Sequence, residues 1–572
     1  MAGIEKKYEE RALDVLIVGG GGAAALAALE IKRAGLTVGL VTKESALVGG
    51  ATIMAAGGTC AVFSPGDSPE TFQSDIFKSG QYLNNAELVR RVTEGSVGGV
   101  LNLETHDFLL DRKDSGTLRT INHGEGHTFP SGYLDRREAL GVCHALSKAL
   151  MRNEIALFPE TVLTKLLVKE NRVIAAMAMS LVTGEYWVFK AKAVVLATGG
   201  LGALYKLTTN SAVLTGDGFA LAFDAGAELV DMEMVQFFPI AFPYPAVRKG
   251  KMIAVCSWFG PDVKLLNGLG DRYMPKYDPE RKEMSTRDNV SRANFIEIME
   301  GRGTKNGAIV VDPTKHDPAK LLKFKTSIPH VYAMFREVYG KRVAEWEEPF
   351  EAIPSQHFFM GGVRMDEECR TNVAGLFAVG EASGGMHGAN RLSGVALTEV
   401  YVMGPVAGKS AALYAQGKEF ISPDARVIDE EMGRLNGLFE SGNGVRPFEL
   451  KAAVQDIMWE GLGPVRDGAG IEVAIGRLRR IEKEQIAGMS LGSQDRTYNR
   501  DRMEAIEVPF MIKTGLLVAH AALLRKESRG SHYRTDFTQR NDEEWLRNVV
   551  IRRNKDGDVD MRTEKTAQAK TR

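Results

Sequence analysis

The run LDVLIVGGGGAAALAALEIKRAGLTVGLVTK, residues 13–43, constrains the fold more than any other stretch of the chain. It reads as strand, glycine turn, helix and second strand. Leu13 to Val18 is an unbroken apolar run, the pattern of a parallel strand buried on both faces. Gly19-x-Gly21-x-x-Ala24 then opens an Ala-rich helix that should end near Gly35. The first glycine permits the tight turn, the second lets a pyrophosphate approach the backbone, and the small third residue lets helix and strand pack closely. The helix N-terminus offers N–H groups and partial positive charge to the phosphates. The second strand ends in Thr42-Lys43, where an NAD-binding unit usually carries an acidic residue for the ribose. A flavin is therefore expected in preference to NAD.

Two later segments support FAD. KAVVLATGGLG is an apolar strand, Ala193 to Leu196, running into Ala197-Thr198-Gly199-Gly200. GLFAVGEASGG places a strand at Leu376 to Val379 that ends at Gly380-Glu381, where a carboxylate can accept hydrogen bonds from ribitol or ribose hydroxyls.

Length and composition set the surroundings. A chain of 572 residues exceeds one compact core, so two to four domains are expected. With 44% hydrophobic and 25% charged residues it has the composition of a soluble globular protein, and a net charge of −1 gives no argument for nucleic acid or an anionic membrane. Cys60, Cys143, Cys256 and Cys369 are dispersed without a C-x-x-C, which predicts four reduced, buried thiols and no iron–sulfur cluster held by this chain. The N-terminus has mixed charges and no signal-peptide pattern, and no apolar run approaches the roughly 20 residues that span a bilayer. The expected location is cytoplasmic, with any membrane attachment supplied by partner subunits.

Ordered motifs along nearly the whole chain make it resemble the fumarate reductase/succinate dehydrogenase flavoprotein family, which also includes aspartate oxidase and the adenylylsulfate reductase flavoprotein. They are the N-terminal glycine turn, MAAGGTCAVF, LTGDGFALAFDAGAEL, STRDNVSRA, QHFFMGGVRMD, GLFAVGE, HGANRLSG and the tail RKESRGSHYRTDFTQRNDEEWL. The resemblance implies an α/β fold: a Rossmann-like FAD-binding domain in two pieces, 10–235 and 355–420, an inserted α+β capping domain at 236–354, a helical C-terminal domain at 421–530 and a tail at 531–572. Within the helical part, Phe510 to Arg525, just after Pro509, is an apolar run of helical length.

The resemblance also implies roles. Arg287 in STRDN matches the family's proton donor, and His357 in QHFFMGG and Arg391 in HGANRLSG match ligands of the substrate carboxylate. Asp217 and Glu381 match flavin contacts. Further candidate cofactor contacts are Gly19, Gly21, Gly22, Ala23 and Ala24 in the first turn, Thr42 and Lys43 after the second strand, and Gly50, Ala51, Thr52, Gly57 and Gly58 in the next glycine-rich segment. Ala197, Thr198, Gly199, Gly380, Ala396 and Leu397 complete the set. The implied reaction interconverts an enoic acid and its saturated acid by hydride transfer at flavin N5, and the implied electron-transfer partner is an iron–sulfur protein of the same complex. An arginine can serve as the acid because a carbanion is a strong enough base to take its proton in a dry site.

Two departures matter. The histidine that anchors covalent FAD in the family falls at Ala51, so the FAD should be noncovalent. In QFFPIAFPYP, residues 236–245, Phe238 stands where the family's second carboxylate ligand falls and Ile240 replaces a threonine. Burying a carboxylate against Phe and Ile without a donor would cost several kcal/mol. A substrate with one carboxylate and an apolar remainder is therefore expected. The alternatives are an electron-transfer subunit with a vestigial pocket, or another family chemistry such as adenylylsulfate reduction or amino-acid oxidation. GPVAGKS, residues 404–410, has three residues between its glycines where a phosphate loop needs four, and reads as helix packing.

Overall fold

The computed structural model describes residues 7–55, 58–121, 126–129, 132–133, 138–440 and 444–566. A seven-stranded sheet organises the flavin side. Its strands run Ala156–Phe158, Val38–Val41, Glu9–Val18, Tyr186–Leu196, Arg172–Ser180 and Thr161–Lys169, and Leu376–Ala378 pairs in parallel with the upper half of Tyr186–Leu196. The strands around Glu9–Val18 are parallel, and the last two pair antiparallel. Side chains alternate as strand geometry requires. Val15, Ile17, Ala193 and Val195 enter the core shared with the helices Gly22–Arg33 and Val395–Ala415. Leu16, Val18, Val194 and Leu196 enter a second core on the opposite face, which extends into the C-terminal helices through Ile506, Leu517 and Val518.

Gly404 and Gly408 lie inside the helix Val395–Ala415. A Cβ on Gly408 would come 2.4 Å from the Ala27 carbonyl oxygen. GPVAGKS is thus a helix-crossing contact.

The second sheet is antiparallel, in the order Met252–Ala254, Val235–Ala241, Phe350–Phe359, Ile309–Asp312 and Lys264–Leu266. Its own core gathers Phe242, Phe335, Trp346 and Phe350. The two long strands, Val235–Ala241 and Phe350–Phe359, carry this sheet back toward the flavin side. They deliver Gln236, Phe238 and His357 to one place.

Three helices, Pro447–Leu462, Gly468–Glu484 and Arg500–Leu524, form the C-terminal bundle. The last is 25 residues long and passes through Pro509, so it starts well before the proline that the sequence suggested as its boundary. The Asn499 side chain caps it by accepting from the Asp501 and Arg502 N–H groups. That cap and burial on both sides outweigh the one helical hydrogen bond a proline removes. Arg500–Leu524 is long and apolar enough to cross a bilayer, yet 72% of its most apolar window is buried inside the protein.

The tail is ordered where described. Arg547–Arg553 and Val559–Lys565 form a hairpin that joins Leu229–Val230 in a sheet with Gly362–Arg364 and Ser383–Gly384. Fully buried Arg525 ties the tail to the base of the second sheet, pairing with Glu233 at 2.5 Å and donating to the Trp545 and Arg547 carbonyls at 3.1 and 2.8 Å.

Candidate active site

A cavity of about 250 Å³ runs from the first glycine turn to the second sheet. At its phosphate end the local structure follows from close backbone approach. Gly19 sits at φ +122°, and a Cβ there would lie 2.1 Å from the Ala197 carbonyl oxygen. Only glycine lets the two strand exits meet. The helix Gly22–Arg33 begins with no side-chain cap on its Gly21 N-cap, and Thr52 Oγ1 accepts the Gly22 N–H at 3.0 Å. Gly21, Gly22 and Ala23 line the cavity, so the start of the helix dipole faces it.

Thr42 and Lys43 line the same end. Lys43 Nζ donates to Thr215 Oγ1 and Glu507 Oε1, both at 2.8 Å, and lies 3.5 Å from Asp217 Oδ2. Burial pulls its pKa down, but the Asp217 and Glu507 carboxylates outweigh burial and hold it above the usual 10.5. Further along, Glu381 accepts the Phe359 N–H at 3.0 Å. Burial drives its carboxyl up to about 7, against the pull of Phe359 and Arg391. Gly200 packs against it, and a Cβ there would lie 2.3 Å from Glu381 Oε1. Thr198 lines the wall, and its buried Oγ1 has no hydrogen-bond partner in the protein. The glycine cradle, the helix start and this orphaned hydroxyl fit an FAD.

At the other end three polar side chains converge. Arg391 is 6% exposed, and its Nη2 donates to Gln236 Oε1 at 3.1 Å. Its guanidinium lies 4.7 Å over the Phe358 ring. His357 Nδ1 is 2.8 Å from Thr209 Oγ1, and Asn210 Nδ2 holds the His357 carbonyl at 2.6 Å. Burial, then Arg391 and Arg287, keep the His357 pKa well below 6.5, so its imidazole is neutral at pH 7. Arg287 opens the helix Arg287–Glu297, and its Nη2 donates to Ser393 Oγ at 2.7 Å.

The structure brings most of the sequence candidates together. Gly19, Gly21, Gly22, Ala23, Thr42, Lys43, Gly50, Ala51, Thr52, Gly58, Ala197, Thr198, Gly199, Asp217, Phe238, Arg287, His357, Gly380, Glu381, Arg391, Ala396 and Leu397 all line the cavity. Ala24 does not; it is fully buried in the helix–sheet core. Gly57 lies outside the described residues.

Ile240 needs correcting. It is 0% exposed and packs in the core of the second sheet with Phe242, Ile253 and Val311, away from the cavity. Phe238 and Ile240 would share a face on a regular strand, but pairing with Phe350–Phe359 breaks register between Phe238 and Ala241. The side opposite the flavin elements is instead closed by Phe238, Met252, Ile253, Ala254, Val255, Trp258 and Ile328. Among the described lining residues between 236 and 354, Arg287 alone is polar. Sequence reading missed Ile328, Ser393, Thr209 and Gln236. Gln236 lies two residues before Phe238 in the motif already singled out; Ile328, at a junction between two helices, carried no signal.

Residues 14–397 match the FAD binding domain family, and residues 451–571 match the fumarate reductase flavoprotein C-terminal family. The chain is 38% identical over 548 residues to a fumarate reductase (CoM/CoB) subunit of Methanothermobacter marburgensis, covering 94% of this chain and 97% of that one. It is 30% identical over 568 residues to the fumarate reductase flavoprotein subunit of Escherichia coli, covering 95% and 92%. Among solved structures, an Escherichia coli quinol fumarate reductase superposes with a TM-score of 0.89 at 27% identity, covering 98% of this chain and 97% of that one. With an FAD cradle at one end of the cavity, convergent arginines at the other and similarity along almost its full length, this chain belongs to the fumarate reductase/succinate dehydrogenase flavoprotein family.

Proposed function

We propose that this chain is a catalytic FAD-dependent oxidoreductase that interconverts an enoic acid and its saturated acid, and that its substrate carries one carboxylate and an apolar remainder. The observation that carries this reading is the apolar wall of Phe238, Met252, Ile253, Ala254, Val255, Trp258 and Ile328 facing Arg391 and His357. The competing reading, fumarate itself, draws on the names of the relatives.

In the reductive direction, Arg391 and His357 hold the carboxylate. Arg391 also bears the negative charge that builds on the α-carbon and carboxylate, which preorganised donors in a dry site do most effectively. We take Thr209 as donor to His357 Nδ1, which leaves the ring proton on Nε2 for the carboxylate. Arg287 gives its proton to the α-carbon. FAD held in the glycine cradle would, once reduced by the electron partner, supply the hydride for the β-carbon.

The experiment is anaerobic reoxidation of the reduced flavoprotein against a panel of acids. Monocarboxylic enoates with alkyl or aryl groups are expected to reoxidise it faster than fumarate. Fumarate outrunning every monocarboxylate would overturn the apolar reading. Ala51 at the cavity wall supports noncovalent FAD, and acid precipitation is expected to leave all the yellow colour in the supernatant.

The relatives are named as subunits, and we infer that an iron–sulfur subunit passes electrons to or from this chain in a cytoplasmic or peripherally membrane-attached complex. The four cysteines are buried and far apart in sequence, which supports a partner as the holder of any cluster. Iron and acid-labile sulfide co-purifying with the natively isolated chain would bear this out; full coupling to a quinone pool by the single chain would refute it.

A further inference from the structure

Two of the side chains that touch the Arg287 guanidinium play no part in the proposed reaction beyond lining the cavity. Ser393 Oγ accepts from Nη2 at 2.7 Å. The guanidinium carbon lies 5.5 Å from the centroid of the Phe238 ring, within the range of a cation–π contact. Both partners are buried and packed. Phe238 is 2% exposed and its ring packs 4.9 Å from that of His357. Ser393 is 7% exposed; its carbonyl accepts from Cys60 Sγ at 3.3 Å and lies 2.8 Å from His127 Nε2.

The two contacts constrain different freedoms. The aromatic ring offers its face to the guanidinium, and the hydroxyl holds the Nη2 end. Phe238 and Arg287 come from the second sheet and its helix, whereas Ser393 lies two residues after Arg391 on the flavin side. The hydroxyl therefore sets Arg287 relative to the carboxylate-binding arginine.

We propose that Phe238 and Ser393 are positioning residues that aim the Arg287 proton at the substrate α-carbon, so that Phe238 acts in proton delivery as well as in shaping the apolar wall. This rests on Arg287 being the proton donor. A displacement of about 1 Å in a reacting group can cost on the order of a hundredfold in rate, so losing either contact should register in kcat.

The test uses the FAD-loaded protein, in its native complex where one is isolated, with Ser393→Ala, Ser393→Thr, Phe238→Leu and Phe238→Tyr. Ser393→Ala should lower kcat roughly ten- to a hundredfold, the range expected for a lost charge-assisted hydrogen bond, with KM nearly unchanged. Phe238→Leu should lower kcat by about three- to thirtyfold, the range of a cation–π contact, and any change in its KM reports its separate place in the apolar wall. The solvent deuterium isotope effect on kcat should rise as proton delivery becomes limiting. Flavin reduction by an artificial dye should stay as in the parent. Ser393→Thr and Phe238→Tyr, which keep the hydroxyl and the aromatic face, should restore most of the rate.

An unchanged kcat in Ser393→Ala, or a loss confined to KM, overturns the proposal. If Phe238→Leu fails to hold its flavin, the Ser393 pair decides the matter alone. Arg287→Ala separates the two levels: retained turnover there refutes Arg287 as donor, whereas abolished turnover beside an unaffected Ser393→Ala refutes only the clamp.

Discussion

The flavin wall of the cavity is made of glycines, a helix start and buried ionisable groups such as Lys43, Asp217 and Glu381, while the opposite wall is Phe, Met, Ile, Ala, Val and Trp around one arginine. The first wall works through its backbone. Gly19 is there because a Cβ would meet the Ala197 carbonyl oxygen. Such positions tolerate little change. The second wall works through side chains alone, so its chemistry can be rewritten one residue at a time on an unchanged strand. The charges follow the same division: Arg391 stands on the flavin side, and Arg287 reaches across from the other, with neutral His357 on the strand beside Phe238.

The largest effect expected from breaking this arrangement is at Arg391. Arg391→Ala removes the group that holds the carboxylate and bears the developing charge. It should lower kcat/KM by about a thousandfold or more for mono- and dicarboxylic substrates alike. The check is steady-state turnover alongside an unchanged flavin absorption spectrum. A variant that lost only one substrate class would place the shared carboxylate elsewhere.

The next effect concerns the flavin wall without its ligand. Burial holds the Glu381 pKa at about 7 in the folded protein, above its usual 4.5. The protonated form is thus favoured by folding. Its contribution to stability is fully present below about pH 4.5 and is lost as pH rises through about 7, with an amplitude on the order of 3 kcal/mol. Thermal unfolding of FAD-stripped protein from pH 5 to pH 8 should show this fall in the parent, and Glu381→Gln should flatten it. Equal slopes in both proteins would mean that another group dominates this range.

Much of the flavin wall was legible in the sequence for the reason given above: close backbone approach demands glycine, and the demand shows as a motif. The strands Glu9–Val18 and Tyr186–Leu196 were legible as apolar runs because both of their faces are covered. The second wall was legible only in part. Phe238 could be singled out from its motif, but placing Ile240 beside it assumed a regular strand, and the register break after Phe238 turns Ile240 into the core. Ile328 reaches the cavity from a helix junction more than 80 residues away in sequence, a contact that only the tertiary fold creates. Pro509 misled for a related reason. A local helix breaker was overridden by the Asn499 cap and by burial that no local pattern encodes.

A third prediction converts one wall toward the other. Phe238→His places a hydrogen-bond donor in the apolar face. It should shift relative kcat/KM toward a C4 diacid over a monocarboxylate by roughly ten- to a hundredfold, the worth of one charge-assisted hydrogen bond of about 1.5–3 kcal/mol. Absolute rates should fall for both substrates, because the imidazole replaces the ring that packs on Arg287, so the ratio is the quantity to measure. A ratio that does not move would separate the apolar face from substrate choice.

The smallest effect is expected at Ile240, where the comparison can be sharpened to a single strand. Phe238 and Ile240 are two residues apart, yet the first lines the cavity and the second packs against Phe242, Ile253 and Val311. Ile240→Val should therefore behave as a core truncation. It removes one methylene from a filled interior and should cost about 0.5–1.5 kcal/mol of stability, read as a lower denaturation midpoint. Threonine at the same position would add a buried hydroxyl to an apolar cluster and should cost more. Neither change should alter the ratio of kcat/KM between diacid and monocarboxylate. Phe238→His combined with Ile240→Thr should then show the specificity of Phe238→His alone, on a less stable protein. A specificity change in Ile240→Val at unchanged stability would place that side chain on the substrate after all, and would extend the apolar wall one residue further along the strand.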